Sequence, residues 1–102
     1  MITAVVTYKH KGGPATKEQI AASQKAAESF RDIPGLIRKN FLYSADGIGG
    51  GVYTWESREA ADAFYSSPRM EEFKKRVGPV DVQFFDTYVI VDNERGALKT
   101  AA

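Results

Sequence analysis

Lys39 lies in the middle of a β-branched and aromatic stretch, Leu36-Ile37-Arg38-Lys39-Asn40-Phe41-Leu42-Tyr43-Ser44. If it shares a sheet face with Phe41, its ammonium projects among rings. A cation so placed can pair with a substrate anion or tilt a phenol toward phenolate. Tyr53 and Trp55 alternate onto one face of the next stretch. They offer a flat wall for an aromatic ligand, with the Tyr53 hydroxyl as an orienting donor; core or dimer packing is the plainer use of the same pair. Lys39 and Tyr53 are therefore the candidate catalytic residues, and Phe41, Trp55, Tyr8 and His10 the candidate substrate-binding ones. His10 is the only histidine. Imidazole titrates near neutrality and suits a general base, but the position between Lys9 and Lys11, beside Gly12-Gly13-Pro14, points to solvent.

Other chemistries find no residues. The chain has no cysteine, which removes thiolate metal sites, cysteine nucleophiles and disulfides. Acidic residues are scattered along helical stretches, so no metal is expected. There is no nucleophile-elbow, Rossmann or Walker pattern, and no cofactor is expected. Gly49-Gly50-Gly51 leads into a strand, so no helix N-terminus faces a would-be phosphate; a hairpin or bulge is the better reading. The net charge is +1, from 14 Lys and Arg against 13 Asp and Glu, which gives polyanions no long-range attraction. The basic runs Lys9-His10-Lys11 and Lys74-Lys75-Arg76 read as solvated surface, and nucleic acid is not an expected partner. No basic n-region precedes a long apolar stretch at Met1-Ile2-Thr3-Ala4, and no segment approaches the ~20 apolar residues of a membrane span. No membrane is expected as a partner, and the cytoplasm is the default compartment.

These residues need elements to hold them. Residues 2–8 read as a strand, rich in β-branched side chains. Thr16 followed by Gln19 makes a capping box, opening a helix whose apolar positions are Ile20, Ala27 and Phe30 and which stops before Pro34-Gly35. Residues 36–44 and 52–56 form strands joined around Ala45-Asp46-Gly47. Ser57 caps a second helix through about Tyr65, and Ser67-Pro68 restarts it, with Met70, Phe73 and Val77 on one stripe. Gly78-Pro79 ends it. Residues 80–91 read as one long strand, and the polar tail from Asp92 to Ala102 as mobile unless a partner holds it.

The order is β-α-β-β-α-β, an α+β ferredoxin-like unit with an antiparallel four-stranded sheet. Right-handed crossovers place both helical segments on one face. Phe41, Tyr43, Tyr53, Trp55, Phe84 and Phe85 are the candidates for the bare face, too much apolar surface to leave in water. Burial against a second copy, a homodimer, resolves this.

Ile33-Pro34-Gly35-Leu36, Lys39, Gly50-Gly51-Val52-Tyr53 and Asp92-Asn93-Glu94 resemble the YdhR-like monooxygenases. Trp55-Glu56-Ser57 with Ala60, Ser67 and Phe73 is similar to the wider antibiotic-biosynthesis monooxygenase group. The resemblance covers roughly residues 2–95. It implies a dimeric α+β barrel over residues 1–95, followed by a tail at 96–102, and a pocket within the barrel or between sheet and helices. It also implies oxygenation of small aromatic or polycyclic substrates without flavin, metal or haem, the deprotonated substrate itself supplying the electron to oxygen. Many relatives carry a histidine on the second helical segment, and the haem-degrading ones ligate iron with it. Residues 57–77 contain none, and Phe64 follows Ala63 where histidine is common, which argues against haem degradation. The alternative function is a non-catalytic small-molecule-binding or stress-associated dimer.

Overall fold

The computed structural model describes residues 1–10 and 12–100. Lys11 of the first basic run and the last two residues of the expected tail lie outside them. Strand β1 (Ile2–Lys9) leads to helix α1 (Lys17–Glu28), the hairpin β2 (Leu36–Tyr43) and β3 (Ile48–Trp55), helices α2 (Arg58–Tyr65) and α3 (Pro68–Val77), and strand β4 (Val80–Asp86). The sheet is antiparallel throughout, in the order β2-β3-β1-β4. This is the ferredoxin-like α+β fold.

The capping residues act as their sequence positions suggest. Thr16 Oγ1 accepts from Gln19 N (3.1 Å) and Gln19 Oε1 accepts from Thr16 N (2.8 Å). Ser57 Oγ accepts from Ala60 N at 3.2 Å. Ser67 Oγ accepts from Met70 N at 3.4 Å, with Pro68 at the first helical position. A pyrrolidine there lacks only an amide hydrogen that would have no intrahelical partner.

The core sits between sheet and helices. Ala4, Val6, Tyr53, Trp55, Ala61 and Met70 are buried together. Tyr53 and Trp55 stack in parallel with centroids 6.0 Å apart, and Trp55 Nε1 donates to the Tyr65 hydroxyl at 3.2 Å. The register corrects the expected bare face. Tyr53 pairs with Ala4 on one side and Lys39 on the other, and Phe84 also pairs with Ala4. Side chains alternate along a strand, so Tyr53, Trp55, Phe41, Tyr43 and Phe84 all face the helices. Of the six candidates only Phe85 lies on the opposite face, where it is 51% exposed. Val5, Leu42, Ile48 and Val52 share that face with threonines.

The last strand also differs from expectation. β4 stops at Asp86, where Thr87 N donates to Met1 O at 3.0 Å and the Thr87 hydroxyl lies 2.6 Å from that of Thr3. The chain then forms β5 (Val89–Asp92), which pairs antiparallel with β6 (Ala97–Thr100). The segment expected to be a tail is thus partly a hairpin. Its turn is made by Asp92 Oδ1 accepting from Arg95 N at 3.1 Å and by Gly96 at φ +67°.

Entry into β2 depends on Gly35. Its φ is +79°, and a Cβ there would lie 2.5 Å from Ala60 Cβ. Its carbonyl accepts from Glu56 N at 2.8 Å, joining this turn to the start of α2. Gly35→Ala should destabilise the chain by about 1–3 kcal/mol, combining left-handed strain with the clash. Gly78→Ala shares the left-handed backbone, φ +87°, but meets no atom within 4 Å. Urea midpoints should therefore fall further for Gly35→Ala; equal losses would remove the packing argument.

Candidate functional site

Helix α1 is pinned at its ends and open in its middle. At the N-terminus, the capping residue Gln19 also donates from Nε2 to the Tyr43 hydroxyl of β2 at 2.8 Å. Past the C-terminus, Ser29 O and Oγ accept from Arg69 of α3 at 3.0 and 2.6 Å. Phe30 then packs edge-on against Phe41 and Tyr53. Between these ends α1 buries no residue, and Ile20, expected on its packing face, is half exposed. The side chains it turns toward the sheet are small or polar: Gln19, Ala22, Ser23 and Ala26. Small side chains hold the helix near the sheet without filling the space beneath it.

That space is a cleft between α1, α3 and the sheet. It comprises two connected cavities of about 320 and 350 Å³ that share Ala26, Lys39, Phe41, Tyr53, Phe73 and Arg76. Gly50 and Gly51 form part of its floor. A Cβ at Gly49 would strike the Tyr8 ring, and one at Gly51 would crowd Lys39 Cε and the Tyr53 ring. The glycine run therefore makes room for the side chains of neighbouring strands. The only irregularity in the β2–β3 pairing lies between Leu36 and Arg38, at the other end of the hairpin.

Lys39 reaches into this cleft. Its Nζ stands 3.6 Å from the ring centre of Phe30, 4.0 Å from Phe41 and 4.7 Å from Tyr53. Burial, and secondarily the Arg69 guanidinium, lowers its pKa to about 7. The three ring faces pull the other way, since aromatic quadrupoles attract the ammonium form. Tyr53 lies beside it with its ring edge-on to Tyr65; burial raises its pKa, so its hydroxyl is a neutral donor. Tyr8, edge-on to Phe73 at 5.3 Å, is likewise raised, by burial first and Tyr43 second, against an opposing effect of Arg76.

His10 is not in open solvent. Its ring stacks on Tyr43 with centroids 3.9 Å apart. Nδ1 accepts from Gly12 N at 2.9 Å, which places the proton on Nε2. That atom is buried and has no partner among the described residues. The structure thus brings Lys39, Tyr53, Phe41, Tyr8 and His10 to one cleft. Trp55 does not reach it; the ring lies fully buried beneath, where the β1–β3 register directs it. The cleft is enclosed by sheet and helices of a single chain, not by two facing sheets.

Sequence reasoning missed Arg69 and Arg76. Spacings of four and three put Arg69, Phe73 and Arg76 on one face of α3, beside the predicted stripe of Met70, Phe73 and Val77. That periodicity was the available signal, obscured because Arg76 ends a basic run read as solvated. Lys39, Arg69 and Arg76 all line the Lys39 end of the cleft, and among the described residues no carboxylate does. Among the described residues, no three of His, Asp and Glu gather as metal ligands, and no helix is long and apolar enough to cross a membrane.

No protein-family profile matches the sequence, and no curated protein matches it. Solved structures do resemble it. A monooxygenase from the gene ActVA-Orf6 of Streptomyces coelicolor, in complex with nanaomycin D, superposes with a TM-score of 0.62 at 28% identity, covering 82% of this chain and 84% of that one. A cofactor-independent oxygenase from Streptomyces nogalater, SnoaB, gives 0.60 at 19% identity, covering 83% and 90%. A Deinococcus radiodurans protein assigned to antibiotic-biosynthesis monooxygenases gives 0.59 at 13% identity, covering 84% and 91%. The chain shares its ferredoxin-like α+β fold with these three proteins.

Proposed function

We propose that this chain is a cofactor-independent monooxygenase of small phenolic or polycyclic aromatic substrates. The observation that carries the reading is Lys39: an amine with a pKa of about 7, caged by Phe30, Phe41 and Tyr53. The monooxygenases that share the fold support it. So does the likeness to YdhR-like sequences at Ile33-Pro34-Gly35-Leu36 and Asp92-Asn93-Glu94.

The substrate ring lies among Phe30, Phe41 and Phe73, with its hydroxyl at Lys39. The neutral amine takes the phenolic proton and remains as the counter-ion of the phenolate, while the Tyr53 hydroxyl donates to the same oxygen. The electron-rich phenolate gives one electron to dioxygen. The resulting radical and superoxide combine at a ring carbon that bears hydrogen, forming a C–O bond. The Lys39 ammonium returns its proton to the peroxide anion so formed, and loss of water from the resulting hydroperoxide, with the hydrogen of that ring carbon, leaves a new carbonyl. One oxygen atom ends in the product and one in water, and the substrate ring supplies all four electrons that dioxygen takes up. Phe41, Tyr8 and His10 shape the cleft around the ring.

The working form is a cytoplasmic homodimer. The sheet face away from the helices carries Phe85, Leu42 and Ile48, each 40–51% exposed, together with Val5 and Val52. A second copy buries that surface, and residues 1–95 make up the barrel domain. Phe85→Asp places a carboxylate in such an interface, and an unpaired buried charge costs several kcal/mol. Sedimentation at micromolar concentration should show a dimer for the parent chain and a monomer for this variant; an 11.2 kDa parent species would refute the dimer.

Oxygen uptake with a hydroquinone-type substrate, after chelation and flavin removal, tests the chemistry. For a phenol of ordinary pKa, about 10, kcat/KM should rise with pH through about 7 as Lys39 loses its proton. Lys39→Met should erase that limb and lower the rate by roughly 10²–10⁴. It should also weaken an acidic phenol about ten- to a hundredfold while sparing a neutral analogue of the same shape. Tyr53→Phe, losing only a neutral donor, should cost less. Ligand-dependent thermal stabilisation without oxygen uptake would instead support the non-catalytic binding reading.

A further inference from the structure

The cleft holds one group able to attack carbon. Arg69 and Arg76 stay protonated, as guanidinium groups do in proteins. Burial keeps the Tyr8 and Tyr53 hydroxyls neutral. The Ser23 and Ser29 hydroxyls have no histidine or carboxylate hydrogen-bonded to them among the described residues, so nothing there activates them. His10 offers no free nitrogen, since Nδ1 takes the Gly12 amide and Nε2 is buried. With no cysteine in the chain, the Lys39 amine remains.

Its surroundings leave that amine uncommitted. Lys39 makes no ion pair among the described residues, and no acidic residue among them lines either cavity of the cleft. Gly51 lets the Lys39 stem lie close against β3: a Cβ there would stand 3.1 Å from Lys39 Cε. The stem therefore rests on the sheet, and the rings of Phe30, Phe41 and Tyr53 surround its tip, 3.6 to 4.7 Å from Nζ. Beyond the tip is the cavity of about 320 Å³, to which Phe64, Met70 and Phe73 add apolar wall. Such a space takes a flat apolar ring and brings what that ring carries to the amine.

We propose that Lys39 condenses reversibly with planar aromatic aldehydes, making the cleft a carbonyl-capturing site. The amine lone pair attacks the carbonyl carbon and one N–H proton passes to the carbonyl oxygen. The carbinolamine then loses that hydroxyl and its remaining N–H proton as water, leaving a C=N bond. Nothing is oxidised or reduced. A protonated imine keeps its charge over the same three rings, and the apolar wall limits the water that would hydrolyse it. The pKa of about 7 agrees with this chemistry: at pH 7 about half of such an amine is free base, against about one part in 2,500 for an ordinary lysine. The inference goes beyond the oxygenase reading and shares with it only the cage of Lys39.

The parent chain itself provides the test. It would be treated with 6-methoxy-2-naphthaldehyde and sodium cyanoborohydride, which fixes an imine as a secondary amine, and the modified lysines located by peptide mass spectrometry. Lys9, Lys17 and Lys25 are exposed and serve as internal references. At pH 7, Lys39 should be labelled at least about tenfold faster than any of them, the larger free-base fraction outweighing the lower basicity of its amine. Above pH 7 the ratio of Lys39 to Lys9 labelling should fall by about tenfold per pH unit, because Lys9 goes on losing its proton while Lys39 has already lost its own. Urea should abolish the preference. Phe30→Leu, which opens the cage, should lower Lys39 labelling about three- to tenfold relative to Lys9. Labelling spread evenly over the lysines, a preference that survives urea, or a ratio independent of pH would overturn the proposal. An adduct at Lys39 without oxygen uptake from phenols would sink the oxygenase and leave the carbonyl site standing; oxygen uptake with no adduct at Lys39 would do the reverse.

Discussion

The antiparallel register of β3, with Tyr53 between Ala4 and Lys39, decides which side chains meet the helices. Ala4 is the small partner that lets the Tyr53 and Trp55 rings lie flat in the core beneath α2 and α3. With Tyr53 fixed inward, period-two alternation carries Lys39, Phe41 and Tyr43 inward on β2, and Tyr8 and Phe84 on β1 and β4. Shifting β3 by one residue would send this whole set to the opposite face. Core and cleft are therefore two regions of one surface. It is filled where α2 and α3 cross it and open where α1 bridges it.

The open part is held against an electrostatic cost. Lys39, Arg69 and Arg76 share one lining without a carboxylate, and like charges in a partly dry cavity repel. All three are partly compensated by rings: the Lys39 ammonium stands 3.6 Å and the Arg69 guanidinium 4.1 Å from the Phe30 ring centre, and the Arg76 guanidinium 5.6 Å from that of Phe73. Arg69 also spends its donors on Ser29, which fixes the end of α1. The same guanidinium thus positions the helix that roofs the cleft and raises the positive potential inside it. Loss of Arg69 would relax both, so structural and electrostatic roles are not separable at that residue by deletion alone.

Local signals wrote the elements plainly. Thr16 with Gln19, Ser57, and Ser67-Pro68 each mark a helix start through hydrogen bonds that span only a few residues. The bundling of Lys39 with Phe41 and Tyr53 was legible too, because alternation links them once the hairpin is paired. Which face they share was not legible. That depends on the partner of Tyr53 in β1, a contact some fifty residues away, and on an irregularity between Leu36 and Arg38 that no local residue announces. His10 shows the same limit. Flanked by lysines and glycines it reads as solvated, yet a hydrogen bond from Gly12 and the ring of Tyr43, thirty-three positions on, hold it in the cleft. Arg69 and Arg76 carried a helical periodicity with Phe73, but charge on a helix ordinarily signals solvent, and only the gap left by α1 makes that face an interior one. The break at Thr87 follows Asp86, a residue that suits turns, but the β-branched and aromatic residues on both sides of it read as one continuous strand.

Arg69 has opposite effects on the two partners of the proposed proton transfer. Its charge disfavours the ammonium form of Lys39, which helps to keep the resting amine neutral and able to accept a proton. The same charge favours a phenolate beside Lys39. When the proton passes from phenol to amine, the pair goes from neutral–neutral to cation–anion, and the net charge of the cleft does not change. No charge has to enter or leave the low-dielectric interior; one is separated within it. The ring faces of Phe30, Phe41 and Tyr53 stabilise the new cation, while Tyr53 Oη and Arg69 stabilise the new anion. A base lowered by burial alone would accept the proton poorly, since the ammonium it forms meets the same burial. A base lowered partly by a neighbouring cation recovers part of that loss through the anion it creates. The arrangement therefore suits a proton shared with a bound acid better than one exchanged with solvent.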